Sequence, residues 1–252
     1  MVSRIVVLIG IALLGAPRVQ TSQEASALLK NARAAIGGES KLAAVRSLAL
    51  QGHTRILVGS TGKLSDPYSL DIRILLPDDY LRIENHDWYE TRSGFAGSEL
   101  LNAAKALKPG STFGASYGPE QINIERAVFA RVMLGMLAQT PMSPMTLRQT
   151  SAATAEVSGP DGFSAFLDFD ALTHLPTRLR HTGPVHFPQP GSTMPSAPQQ
   201  AEIVWTFGDR RDVNGLKLPY HIVRTSRDVT LEEMLFETVR VNPLLSPNDF
   251  KK

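Results

Sequence analysis

Histidines are the first residues to test for chemistry, because imidazole can act near neutral pH as a base or a metal ligand. The chain of 252 residues has six: His53, His86, His174, His181, His186 and His221. Only His181 and His186 lie close together, at a proline-rich stretch, so a paired metal site there competes with two solvated loop histidines. The absence of cysteine removes thiolate nucleophiles, cysteine metal sites, disulfides and a lipid-modified N-terminal cysteine. Carboxylates pair at Asp78-Asp79, at Asp168 with Asp170, and at Glu232-Glu233. The first two fall at strand ends, where aspartate shapes turns. The third lies within a strand, so its side chains point to opposite faces and cannot act together. Asp209-Arg210-Arg211-Asp212 reads as a solvated, ion-paired hairpin edge. No HExxH, GxSxG, Walker loop or GxGxxG occurs. Nothing converges on an acid and a base, so the expectation is a non-enzymatic protein with no catalytic residue, metal or cofactor.

The apolar residues form a stronger pattern. Tyr68, Leu70 and Ile72 alternate with polar neighbours, as do Phe163 and Leu167, and Ile203, Trp205 and Phe207. Pro119 to Gln139 reads as a helix, opened by proline at its first position and stopped by Pro141. Its second half is apolar almost all round, with Phe129, Val132, Met133, Met136 and Leu137 broken by a thin stripe of Arg131, Gly135 and Gln139. A helix apolar on most sides is buried on most sides. Methionines suit surfaces that accept varied apolar partners. Together these thirteen apolar residues are expected to line a cavity between helix and sheet; plain core is the competing expectation.

The rest of the chain supplies the positioning elements. Ser22 to Ile36 reads as an amphipathic helix with Ala25, Leu28, Leu29, Ala32 and Ile36 on one face, ended by Gly37-Gly38. A short helix follows over Glu39 to Val45, and from Ser47 the period becomes two. Strands are expected over Leu48–Val58, Tyr68–Ile74, Tyr80–Asn85, Tyr89–Arg92 and Phe95–Leu101, the last two turning at Ser93-Gly94. Lys105 to Gly118 reads as a loop. After the helix come Met145–Gln149, Thr154–Ser158, Phe163–Phe169 and Pro176–His181. Thr182 to Gln199, with five prolines, is expected to be a flexible loop, neither strand nor helix. Asn214-Gly215 marks a type I′ hairpin between the strands around Trp205 and Leu216–Thr225; Val229–Val241 is the last long strand, and Asn242 to Lys252 is irregular. About ten or eleven hairpin-ordered strands imply an α+β fold: a large curved antiparallel sheet, a half-open barrel, around the central helix, plus the N-terminal helices.

Arg4 and the apolar run Ile5–Ala16 read as an export signal over residues 1–20, with an uncleaved anchor as the alternative. Residues 21–252 then form one domain, periplasmic or secreted. Twenty-six basic against 24 acidic residues, with no basic–aromatic cluster, point away from nucleic acid.

The stretches ARAAIGGESKLAAVRSLALQGHTR, GPDGFSAFLDFDALTHLPTRL, DVNGLKLPYHIV and VNPLLSPNDF, with the exported meander and mid-chain helix, resemble the outer-membrane lipoprotein carrier (LolA/LolB-like) superfamily. The resemblance implies an unclosed barrel with a helical lid, a lipid or lipoprotein acyl chain as ligand, an outer-membrane partner and a monomer. It also marks a departure: Leu76 precedes Pro77 where the carrier has the arginine that latches its lid. An envelope structural module with a filled core is the alternative; an exported hydrolase using His181 or His186 ranks last.

Overall fold

The computed structural model describes residues 22–59, 61–108, 120–139, 145–189, 191–192 and 196–251, with side chains from residue 27 onward. The expected signal at residues 1–20, the helix-opening Pro119 and the helix-stopping Pro141 lie outside the described residues.

Helix α1 (Ser22–Ile36) and α2 (Glu39–Ala43) come first. Leu28, Ala32 and Ile36 bury the inner stripe of α1. It ends where Gly38 takes a positive φ of 91° and donates its N–H to the Arg33 carbonyl. Strands β1 (Ser47–Val58), β2 (Lys63–Leu64), β3 (Tyr68–Leu75), β4 (Asp79–Asn85), β5 (Tyr89–Ala96) and β6 (Glu99–Ala106) precede helix α3 (Gln121–Leu137). Strands β7 (Thr146–Ser151), β8 (Thr154–Ser158), β9 (Ser164–Phe169), β10 (Pro176–Val185), β11 (Gln199–Val213), β12 (Leu216–Ser226) and β13 (Val229–Val241) follow it. Asn214 and Gly215, at φ 55° and 78°, make the expected I′ hairpin between β11 and β12.

All strands join one 13-stranded antiparallel sheet in the order β6-β5-β4-β3-β1-β13-β12-β11-β10-β9-β8-β7, with β2 beside β1. Two consecutive meanders are stitched together where β1 pairs with β13, from Leu48 opposite Val241 to Ile56 opposite Glu232. The free edges, β6 and β7, are the two strands that flank α3 in the chain. Strands β5 and β10 stand seven places apart in that order, ~34 Å in a flat sheet at ~4.8 Å per strand. Both nevertheless pack on α3, which is only ~10–12 Å across. The sheet is therefore curved around the helix and unclosed, as the sequence pattern implies.

The core fills the concave side, where Leu48, Leu50, Leu70, Ile72, Ile74, Leu167, Leu179, Trp205 and Phe236 form one buried cluster with the underside of α3. On the convex side Phe250, in a short 3₁₀ turn at Pro247–Phe250, covers Leu81, Ile83 and Leu101. Asn242 ties the end of β13 to the start of β1, accepting from the Arg46 N–H at 2.7 Å and donating to the Ala44 carbonyl at 3.0 Å. Among the described residues no helix is long and apolar enough to cross a membrane.

Several expectations need correction. Thirteen strands exceed the ten or eleven read from the sequence; β2, only two residues long, carries no periodic signal. Ser93-Gly94 is not a turn: β5 runs straight through it, and the chain reverses at Gly97-Ser98. Gly94 is needed because a Cβ there would sit 2.0 Å from the Tyr80 carbonyl oxygen on β4. The loop expected from Lys105 is still β6 as far as Ala106. Thr182–Val185 and Gln199 are strand, not loop, since β10 pairs with β11 as far as Val185 opposite Gln199. Pro184 fits there because β9 accompanies β10 only up to Arg180 opposite Phe166, leaving Pro184 with a strand on one side alone. The tail after β13 is not wholly irregular, because Ser246 and Asp249 cap the Pro247–Phe250 turn reciprocally.

Candidate functional site

Alternation along each strand sends one set of side chains into the concave face, and that face changes character along its length. At one end Leu48, Leu50, Ile72, Ile74, Leu218 and Tyr80 are at most 2 % exposed. Phe129 of α3 lodges there, its ring centroid 5.5 Å from that of Phe95 and 5.6 Å from that of Tyr80. The expected lining residues Leu70, Ile72, Phe163, Leu167, Ile203, Trp205, Phe207, Phe129, Val132, Met133, Met136 and Leu137 all belong to this one buried cluster. Tyr68 stands apart, half-buried at the other end, its hydroxyl inaccessible and without a partner.

That other end is a charged row. Glu232, 2 % exposed, alternates inward with Met234 and Phe236 on β13. It accepts from Arg224 Nη1 at 2.7 Å, from Thr54 Oγ1 at 3.3 Å and from Arg82. Arg82 also donates Nε–H to Glu84 at 2.6 Å. Burial alone would raise the Glu232 carboxyl, but the Arg82 and Arg224 charges outweigh it and hold it at about 2. Glu84 leads to the rim, where His86 stacks on Tyr89 with centroids 4.2 Å apart and contacts Tyr68 at 3.9 Å.

From Arg224 the row continues across β11 and β10. Its guanidinium lies 4.8 Å from the Trp205 ring centroid, and the Trp205 indole N–H donates to His181 Nε2 at 3.2 Å. The other ring nitrogen of His181 therefore carries the proton, donated to the Thr182 carbonyl at 3.2 Å. Burial, then the nearby Arg131 charge, lowers the imidazole to about 4, so it is neutral. His186 instead contacts the Ser196 carbonyl and does not meet His181, so the paired metal site is not formed. Among the described residues no three His, Asp or Glu side chains gather as a metal site.

The helix over this trough has few polar anchors. Arg210 sends Nη2–H to the Gly135 carbonyl at 2.9 Å, and also binds the Pro176 and Lys217 carbonyls. It is thus not the solvated edge expected from its sequence; only Arg211 and Asp209 pair in solvent. Arg126 donates to the Gly97 carbonyl at 2.8 Å, and Arg33 to the Gln139 side chain at 2.9 Å. Gly135 is fixed by contact: a Cβ there would lie 1.9 Å from Phe207 Cζ, so the helix backbone rests directly on that ring. Glu125, buried on α3, accepts from Gln121 at 2.9 Å, and burial raises its carboxyl.

Sequence reading missed Arg82, Arg224 and Glu232. Parity along each strand could have found them: Arg82 shares a face with Tyr80, Arg224 with Ile222, and Glu232 with Phe236.

No family model and no curated protein matches the chain. Solved structures do resemble it. A LolA superfamily protein from Nitrosomonas europaea is 11 % identical, with TM-score 0.49, over 90 % of this chain and 97 % of that one. A DUF1329 family protein from Desulfovibrio piger is 10 % identical, with TM-score 0.48 and the same coverage. A domain assigned to an outer membrane lipoprotein-sorting protein from Vibrio parahaemolyticus is 11 % identical, with TM-score 0.48, over 91 % and 97 %. Likeness at this level transfers no residue role to the chain.

Proposed function

We propose that the protein is a non-enzymatic binder of an amphiphile, a lipid or lipoprotein acyl chain, held on the concave face beneath α3. One observation carries this reading. The continuous apolar face of the curved sheet, packed against α3, ends in a charged row, and the helix that covers it joins the two free sheet edges and has few polar anchors. An acyl chain would lie against Phe129, Met133, Met136, Leu70, Ile72 and Trp205, displacing part of the underside of α3. A C16 chain contributes on the order of 12 kcal/mol at ~0.8 kcal/mol per buried methylene. That offsets the lifting of about five or six large side chains at ~2 kcal/mol each, a part of the helix face rather than all of it.

Export to the periplasm through residues 1–20 belongs to the same reading, with an outer-membrane partner receiving the ligand from a monomeric carrier. N-terminal sequencing of the protein recovered from the envelope tests the export step; an intact Met1 overturns cleavage. Ligand binding is tested by native mass spectrometry of the mature protein and by titration with the neutral fluorophore N-phenyl-1-naphthylamine. Co-purifying lipid and saturable probe binding are expected. Bare protein with no probe uptake favours the second reading, an envelope module with a filled core, which the direct seating of Gly135 on Phe207 supports.

A further inference from the structure

Beyond Arg180 opposite Phe166, β9 and β10 part company, while β10 continues along β11. The space between them is a cavity of about 310 Å³ lined by Arg131, Ser164, Phe166, His181, Thr182 and Glu202, with Gly162 and Ala165. The lining comes from both faces of the sheet. His181 and Ala165 are buried on the concave side, whereas Ser164, Thr182 and Glu202 are exposed on the convex side. The cavity is therefore a window through the sheet that opens on the charged end of the trough.

Arg131 is the unusual group in it. The guanidinium lies 5.5 Å from the Phe163 ring centroid; its Nε is buried without an acceptor, and no carboxylate pairs with it among the described residues. Burial, then repulsion from Arg224, lowers the guanidinium below its usual range, as for a cation lacking its counter-ion. The carboxylates nearby are committed elsewhere: Glu232 to Arg82 and Arg224, and Glu202 to Arg180 at 3.7 Å. Both nitrogens of His181 are also occupied, so it forms a neutral wall and adds no third positive charge. The hydroxyls of Ser164 and Thr182 are further donors at the window.

We propose that this window is an anion site, in which Arg131 takes the carboxylate or phosphate headgroup of the amphiphile whose chain lies in the trough. The proposal rests on the acyl-binding reading, and the arrangement gives that ligand an orientation: headgroup at the β9–β10 window, chain toward Phe129. A desolvated guanidinium with an oxyanion forms a charge-assisted hydrogen bond, stronger than a neutral one.

The test uses the full mature chain, delipidated, with palmitate, hexadecanol, inorganic phosphate and N-phenyl-1-naphthylamine as probes, read by calorimetry and, in a Trp88→Phe background, by Trp205 fluorescence. Palmitate is expected to bind about 10- to 100-fold more tightly than hexadecanol, the range for a hydrogen bond to a charged group. Arg131→Gln should bring palmitate down to the hexadecanol level and leave hexadecanol and the neutral fluorophore unchanged. Equal affinity for palmitate and hexadecanol in the unmodified protein overturns the anion site while leaving the acyl reading intact, whatever the variant does. Phosphate binding abolished by Arg131→Gln, without binding of either neutral probe, keeps the anion site and removes the acyl chain. Binding of neither palmitate nor phosphate overturns the site.

Discussion

The two ends of the concave trough are held together by different physics. At the apolar end Leu50, Ile72, Phe95 and Phe129 gain from contact with any apolar neighbour, so one partner can replace another at modest cost. At the charged end Arg82, Glu232 and Arg224 depend on each other individually, because removing one strands the rest in a desolvated site. The first end suits exchange of contacts; the second fixes geometry.

Interchanging the two kinds of residue should produce the largest effects. Met133→Glu puts a carboxylate where the side chain is fully buried, and is expected to cost at least about 4 kcal/mol and to abolish probe binding. Urea unfolding and fluorophore titration measure both; unchanged values would mean that the underside of α3 does not face the trough. Glu232→Ala should cost about 3 kcal/mol, by taking from Arg224 its carboxylate and leaving the buried Arg82 with Glu84 alone. The triple change Arg82→Met, Glu232→Leu, Arg224→Met removes the buried charges together and leaves Glu84 to His86 at 3.7 Å, so it should recover most of the Glu232→Ala loss. If the triple variant is as unstable as Glu232→Ala, the charged row is a stability device after all.

Acid separates the two ends without mutation. Glu232 titrates at about 2 in the fold against 4.5 for a free side chain. Its contribution, on the order of 3 kcal/mol, is complete above pH 4.5 and is lost as the pH falls towards about 2. His181 is lowered in the same way to about 4 from 6.5, so the first loss comes as the pH falls below 6.5. Glu125, raised by burial, works in the opposite sense. Thermal melts between pH 7 and 3 should show stepwise destabilisation, and its part below pH 4.5 should be smaller in the triple variant, which keeps only the other lowered carboxylates such as Asp170 and Asp249.

Smaller effects refine the picture. Gly135→Ala forces either Phe207 or α3 to move, an overpacking cost of about 1–3 kcal/mol. If the helix is what moves, the variant should take up the neutral fluorophore more readily; reduced stability with unchanged uptake would assign the shift to Phe207. Arg211→Ala removes the exposed pair with Asp209 and the guanidinium's contact with the Tyr220 ring at 4.3 Å, and should change unfolding by no more than about 1 kcal/mol.

The apolar end was legible in the sequence because period-two alternation and an all-apolar helix state directly which side chains are inside. Leu70 and Ile72, or Ile203 and Phe207, needed no partner to be placed, whereas Tyr68 in the same alternation lies half-buried at the charged end. The charged end was not legible as a unit, because Arg82, Arg224 and Glu232 come from three distant strands and each resembles an ordinary surface residue alone. Even the parity of Glu232-Glu233, correctly read as pointing to opposite faces, does not reveal that the inward one meets two arginines. Gly94 and Pro184 misled for a related reason: each has a local preference for turns, overridden here by the close approach of β4 and by the end of β9. Arg210 looked solvated beside Asp209 and Arg211 because the carbonyls it binds, at Gly135, Pro176 and Lys217, carry no sequence signal.

The pairing of β1 with β13 makes the first and last long strands neighbours at the middle of the sheet. Contacts across almost the whole chain make for slow closure, since the final stitch waits for the last strand to arrive. A chain ending before Val229 would hold two separate meanders, with β1 and β12 newly bare, and so four raw strand edges in place of two. Such a fragment should self-associate rather than bind anything.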